Sequence, residues 1–214
     1  MIKKSDKRIL EADRLFKRYG NKIALNKVTV SIKNNEVVGL LGPNGAGKST
    51  SFYILAGLIK ADAGKIILNG SDITNYPMHK RAKLGLNYLP QESSVFRELS
   101  TKDNLIALIE QRDDLDKKQK SYLLDKLTEE FGLEGFEHVL GRNLSGGERR
   151  RLEIARALTS DPTIILLDEP FAGIDPISLN EIKAQINQLK SRDIGILITD
   201  HNVRETLDIC DRAY

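Results

Sequence analysis

Nine residues at positions 42–50, "GPNGAGKST", have the types and spacing to hold phosphate. They fit G-x-x-x-x-G-K-[ST], follow the apolar run "EVVGLL" (36–41) and open a helix, which is the setting that pattern needs. Gly42, Gly45 and Gly47 let backbone amides curl around phosphate oxygens, and the helix N-terminus adds its dipole. Pro43, Asn44, Ala46 and Thr50 complete the nucleotide-binding run. Lys48 supplies a point charge to the β- and γ-phosphates, and the Ser49 hydroxyl is a magnesium ligand. The second half of the chemistry is "IILLDEP". Asp168, at the end of a buried strand, would hold Mg²⁺ directly or through water. Glu169 is the candidate to orient or deprotonate an attacking water. Adjacent acids ending an apolar strand can also be a solvated strand terminus. The phosphate loop upstream favours the reading in which they hold Mg²⁺ and water.

A third stretch, "NLSGGERRRLEIARAL" (143–158), is a strong helix that begins on two glycines. Leu152, Ala155 and Leu158 lie along one face, with Arg149, Arg150, Arg151 and Glu153 largely on the other. Ser145 and Glu148 form a capping box. Such a box does not require glycines inside it, and each helical Gly costs roughly 0.8–1 kcal/mol relative to Ala. Gly146 and Gly147 therefore read as backbone that an anion must approach closely.

The elements that position these residues follow from periodicity. "KVTVSI" alternates as a half-buried strand, whereas "EVVGLL", "TIILLDEP" and "GILITD" are continuous apolar runs suited to strands covered on both faces. "GKIILNG" with Asp72 predicts a hairpin through Asn69 and Gly70. Helices are expected through "STSFYILAGLI", "STKDNLIALIE", "KKQKSYLLDKLTEEFG" and "PISLNEIKAQINQLKS". Strands alternating with helices imply a parallel α/β sheet, and the strandless stretch of roughly 93–155 implies a separate helical lobe. The 214 residues suit one large domain or one domain with an insertion, and a net charge of +3 is too mild to argue for nucleic acid. No apolar run approaches the ~20 residues of a membrane span, and the N-terminus has no apolar signal core, which predicts a cytosolic protein. The single cysteine excludes an intrachain disulfide framework, and Cys210 reads as a small buried apolar residue.

"LSGGE", placed between the phosphate loop and "ILLDEP", makes the chain resemble the ATP-binding-cassette ATPases. "YLPQE", "GID" (173–175) and "ITDHN" fall in the family's order. The resemblance implies a P-loop α/β fold with a mostly parallel sheet core, an N-terminal antiparallel β subdomain and an inserted α-helical subdomain. Core and β subdomain would take about 1–92 and 156–214, and the helical subdomain about 93–155. It also implies an ATP-induced head-to-tail homodimer, in which Ser145, Gly146, Gly147 and Glu148 of one copy meet the γ-phosphate held by Lys48 of the other. By the same resemblance Gln91 contacts magnesium and the lytic water, and His201 binds the γ-phosphate. Tyr19 would stack on adenine, with a partly buried strand-end tyrosine as the alternative. Asp175 would sit at the dimer seam, with a simple N-cap before Pro176 as the alternative. His79 and His138 read as solvated.

Within the family, "QESSVFRELS" and "LITDHNVRETLDICDRAY" are similar to the cassette subunits of lipopolysaccharide exporters. Those of branched-chain amino-acid importers share much of this and are the alternative. The segment after Gln91 would dock a membrane subunit's coupling helix through Val95, Phe96 and Leu99. Packing inside the helical lobe is the competing reading, and an exposed Phe96 would favour the partner. Docking implies a protein held at the cytoplasmic face of the inner membrane. A non-transport cassette acting on ribosomes or DNA, and a nucleotide sensor without turnover, are further alternatives. Family members usually continue past "DRAY" with a strand and a helical tail, so a truncated C-terminus is expected.

Overall fold

The computed structural model describes residues 9–172 and 176–214. They form two compact units, one within Met1–Gln91 and Thr163–Tyr214, the other Glu92–Pro162. In chain order the first unit contains β1 (Ile9–Tyr19), β2 (Lys22–Lys33), β3 (Val37–Leu40), α1 (Lys48–Ala56), β4 (Ala63–Leu68), β5 (Ser71–Asp72), α2 (Met78–Lys83) and β6 (Leu86–Leu89). The second unit contributes α3 (Thr101–Ile109), α4 (Lys117–Glu130), a 3₁₀ turn (Gly141–Asn143) and α5 (Gly146–Leu158). The first unit then resumes with β7 (Ile164–Asp168), α6 (Pro176–Ser191), β8 (Gly195–Thr199), α7 (Val203–Ile209) and β9 (Arg212–Ala213). The helical unit runs beyond the expected residue 155 because α5 continues to Leu158 before the chain re-enters a sheet.

The first unit holds two sheets: an antiparallel one in the order β2-β1-β4-β5 and a parallel one in the order β6-β7-β8-β3-β9. Every residue of β3, β7 and β8 is buried, as continuous apolar strands in the middle of a covered parallel sheet should be. β1 was invisible to periodicity because Asp13 and Arg14 interrupt its alternation. The register against β2 shifts between Ala12 and Leu15, and Arg14 takes φ 49. This bulge resets the pleat so that Leu10, Ala12 and Leu15 are all buried on one side. The "DRAY" segment, expected to lead up to a strand, itself supplies β9 beside β3. Cys210 is only partly buried, against the buried position expected for it.

In the second unit Ser100 caps α3 by accepting from Asp103 N at 3.0 Å without the reciprocal bond of a capping box, whereas the box at α5 forms: Ser145 N donates to Glu148 Oε2 at 2.8 Å and Glu148 N to Ser145 Oγ at 3.3 Å. The polar face expected for α5 needs correction. Glu153 and Arg156 are buried, and both grip one loop residue: Ser94 N donates to Glu153 Oε1 at 3.2 Å, and Arg156 donates to Ser94 O. Charged helix positions thus fix the loop after Gln91 rather than facing water.

α1 stops at Ala56, short of the expected Ile59, because Gly57 turns left-handed (φ 81) around a buried arginine. A Cβ on Gly57 would lie 2.9 Å from Arg81 Nε. Arg81, 1% exposed, donates to Ile54 O (2.7 Å), Leu55 O (2.6 Å), Tyr76 O (2.8 Å) and Thr74 O (3.0 Å). Burial lowers its guanidinium to about 10, so it remains charged at neutral pH. The cation therefore caps the carbonyl end of α1 and complements its dipole. Arg81→Ala removes the charged donor from all four carbonyls, of which Ile54 O keeps only the Gly57 N–H at 3.2 Å, and hydrogen bonds to charged groups contribute about 1.5–3 kcal/mol each. Urea unfolding of the variant should show a loss of at least about 3 kcal/mol. A midpoint within error of the unsubstituted protein would show that the cap is dispensable.

Candidate active site

The phosphate loop joins β3 to α1, and its shape depends on what glycine lacks. Gly42, Gly45 and Gly47 have φ 151, 82 and 95. At Gly47 a Cβ would lie 2.6 Å from both Ala24 O and Leu25 Cδ2, so strand β2 sits directly behind the loop. No side chain caps α1, which leaves its first-turn amides to the loop's concavity. Lys48 is buried, and its Nζ donates to Gly42 O at 2.7 Å and Pro43 O at 3.1 Å. The ammonium is thereby folded back over the loop, where it adds to the field of the amides. Pro43, Asn44, Ala46 and Ser49 are exposed, and Thr50 is half-buried.

Asp168 ends β7, opposite Thr199 of β8. It is buried, and the Tyr88 hydroxyl donates to its Oδ2 at 2.9 Å. Burial raises the Asp168 carboxyl and the Tyr88 hydrogen bond opposes that rise, while the charges of Glu169 and Asp200 reinforce it. The phenol of Tyr88 is itself pushed up, by burial first and then by Asp168, so it stays a donor. Glu169 adopts φ 47, a left-handed conformation uncommon for a side-chain-bearing residue, while its N–H donates to Thr199 O at 2.7 Å. That turn swings the carboxylate out of the strand, and His201 Nε2 lies 2.7 Å from Glu169 Oε1. The two side chains, given different roles by the sequence, are in direct contact.

Two residues that the motifs did not single out hold this arrangement. Asp200, 1% exposed, accepts from Phe171 N (2.7 Å) and Asn202 N (2.8 Å), which ties the turn after Glu169 to the segment carrying His201. A buried acid ending "LITD" was the available signal. Tyr88 carried none, because its short strand reads as loop. Gln91 and Tyr19 are exposed, and Tyr19, at 49%, is not the partly buried residue of the alternative reading. Lys17 Nζ stands 5.5 Å from the Tyr19 ring centroid. Gly173 and Asp175 lie outside the described residues. His79 and His138 are exposed.

In the second unit, Ser145 and Gly146 are exposed and Gly147 and Glu148 half-buried, so both glycines sit in the capping box as expected. An added Cβ at Gly146 meets no described atom within 4 Å. Val95, Phe96 and Leu99 do not form one surface. Val95 is 6% exposed and contacts the space over Gly141, which corrects its placement in a partner groove, while Phe96 (46%) and Leu99 (38%) are exposed. The Arg156 guanidinium lies 4.5 Å from the Phe96 ring centroid.

Among the described residues no three His, Cys, Asp or Glu side chains cluster to hold a metal, and no helix is long and apolar enough to cross a membrane. A site with one buried carboxylate and an exposed hydroxyl suits Mg²⁺, which takes few protein oxygens and completes its shell with phosphate and water.

A family model described as ABC transporter matches residues 25–172. The lipopolysaccharide export system ATP-binding protein LptB of Haemophilus influenzae is 54% identical over 206 residues, which cover 96% of this chain and 86% of that protein. Its namesake from Escherichia coli K12 is 52% identical over 205 residues, 96% of this chain and 85% of that one. A crystal structure of the ADP conformation of an ATP-binding cassette of an ABC transporter superposes with a TM-score of 0.84 at 29% identity, covering 97% of this chain and 86% of that one. The family match takes in the phosphate loop, the glycine-led α5, the strand ending at Asp168 and the turn carrying Glu169, and on that span the chain belongs to the ABC transporter family as one of its ATP-hydrolysing cassettes.

Proposed function

We propose that this cassette binds ATP at 42–50 and hydrolyses it in a head-to-tail pair of identical chains, powering lipopolysaccharide extraction and export from the inner membrane. The observation that carries the export reading is the identity above one half, over nearly the whole chain, to lipopolysaccharide export ATP-binding proteins from two organisms. The hydrolytic reading rests on the contact between Glu169 and His201 at the end of β7. Glu169 takes the proton of the attacking water, and the ring of His201 orients it and faces the γ-phosphate. Lys48 and the loop amides bind the β- and γ-phosphates, with Gly42, Gly45 and Gly47 giving them access. Tyr19 stacks on adenine, as its exposure supports. Ser49, Asp168 and Gln91 hold Mg²⁺, which when bound neutralises charge on the phosphate oxygens. Ser145, Gly146 and Gly147 of the second copy close over the γ-phosphate, with Glu148 bracing their turn, and Asp175 lies at the seam. The membrane subunits dock on Phe96 and Leu99 and hold the protein at the cytoplasmic face of the inner membrane.

Glu169→Gln keeps size and hydrogen bonding but removes the base, whose loss costs about 10²–10⁴-fold. Steady-state phosphate release should fall by that factor while ATP binding persists. Turnover near that of the unsubstituted protein would remove Glu169 from its role.

Phe96→Ala separates docking from folding. An exposed cation–π contact contributes about 0.5–1 kcal/mol, so the isolated cassette should melt nearly unchanged. Burying the ring against a partner contributes about 1.5–3 kcal/mol, so capture of detergent-solubilised lipopolysaccharide-exporter membrane subunits should weaken at least about ten-fold. If the unsubstituted cassette instead captures only the membrane subunits of a branched-chain amino-acid importer, the export reading is wrong.

A further inference from the structure

Tyr88 stands three residues before Gln91, on the strand β6 that pairs in parallel with β7. Its ring packs against the hydrophobic core of the first unit, a contact phenylalanine would make as well. What phenylalanine could not supply is the hydroxyl, which donates to Asp168 Oδ2 at 2.9 Å. The register sets Tyr88 beside Leu166, two residues before Asp168 on β7, so the tyrosine reaches along the neighbouring strand to its last side chain. A carboxylate at a strand end can rotate about two side-chain bonds. A hydrogen bond to one of its oxygens sets the plane in which the other is presented.

We propose that Tyr88 is a positioning residue for the cation of the hydrolytic site: it holds Asp168 through Oδ2 so that the carboxylate is oriented before Mg²⁺ and nucleotide arrive. The proposal rests on Asp168 being a holder of that ion, the reading given above. It also gives β6 a part in the chemistry, since the strand that leads to Gln91 grips the carboxylate of β7 on the way. Tyr88 touches neither substrate nor metal and acts only through Asp168.

The test substitutes Tyr88→Phe, which keeps the ring and removes one oxygen, and uses Mn²⁺ as the probe. Bound Mn²⁺ is followed by electron paramagnetic resonance in the presence of ATP. ATP affinity is measured separately in chelator, where the cation plays no part. Metal-free ATP affinity should stay within about two-fold of the unsubstituted protein, while the Mn²⁺ dissociation constant rises about ten-fold or more, the range seen when a partner of a metal ligand is lost. An unchanged Mn²⁺ affinity overturns the proposal. So does an equal fall in metal-free ATP affinity, which would mark Tyr88 as a general packing residue. Asp168→Asn, measured alongside, tells the two layers apart. If it weakens Mn²⁺ and Tyr88→Phe does not, only the tyrosine's role fails. If Asp168→Asn leaves Mn²⁺ binding intact, the metal reading of Asp168 fails and the proposal falls with it.

Discussion

The structure is organised around a loop that must leave its own hydrogen-bond donors unspent. A phosphate loop works because the amides at the start of α1 have no protein partner, and such a helix end is a cost that other contacts must offset. No side chain caps α1 at its N-terminus. The opposite end is fixed by a charge instead, with Arg81 buried among four carbonyls. Lys48 folds back onto Gly42 O and Pro43 O, and β2 closes behind Gly47. The helix is thus held at its carbonyl end, at its back and through its lysine, and its amide face is left for the ligand.

A similar division governs the carboxylates. Asp168 and Glu169 are consecutive, yet their environments differ because the backbone changes hand between them. Asp168 finishes a fully buried strand and shares a hydrogen bond with Tyr88, so burial and neighbouring charge act on it directly. Glu169 leaves the strand through a left-handed turn and meets His201 at the more exposed margin. The turn costs conformational energy, which Asp200 offsets by accepting two buried-side amides on either side of the contact. One residue suits holding a cation, and the other suits meeting water.

How much of this was legible in the sequence depends on the physical signal at each position. The parallel core was readable because β3, β7 and β8 are apolar throughout, and the phosphate loop because glycine, lysine and serine at fixed spacing have few other uses. β1 was not, since its bulge at Arg14 breaks the period on which strand reading depends. β6 was too short to show any period, which hid Tyr88. Arg81 lies in a short basic helix that looks solvated, and nothing local shows that four carbonyls surround it. Glu153 misled for the same reason: a charge on a helix reads as surface until the loop it grips is in view. The groups reached only through tertiary contact are the ones that sequence periodicity misses.

The glycines separate requirements internal to this chain from those outside it. Gly47, Gly57 and Gly195 have backbone or side-chain atoms within 3 Å of where a Cβ would stand, so this chain's own packing excludes larger residues there. Gly45 and Gly70 have open space but positive φ, and their turns account for them. Gly146 has neither reason: it is helical, its missing Cβ would meet no described atom, and Ser145 and Glu148 already close the cap around it. At the first position of α5 that glycine forgoes alanine's helix preference with no return inside the chain. A residue that weakens its own helix and relieves no internal crowding answers to something that approaches from outside. At the amide end of a helix, a negatively charged group is what such an opening would suit. This is the physical argument that supports the proposed head-to-tail pair, in which the anion held by one copy's lysine would meet the other copy's bare helix end.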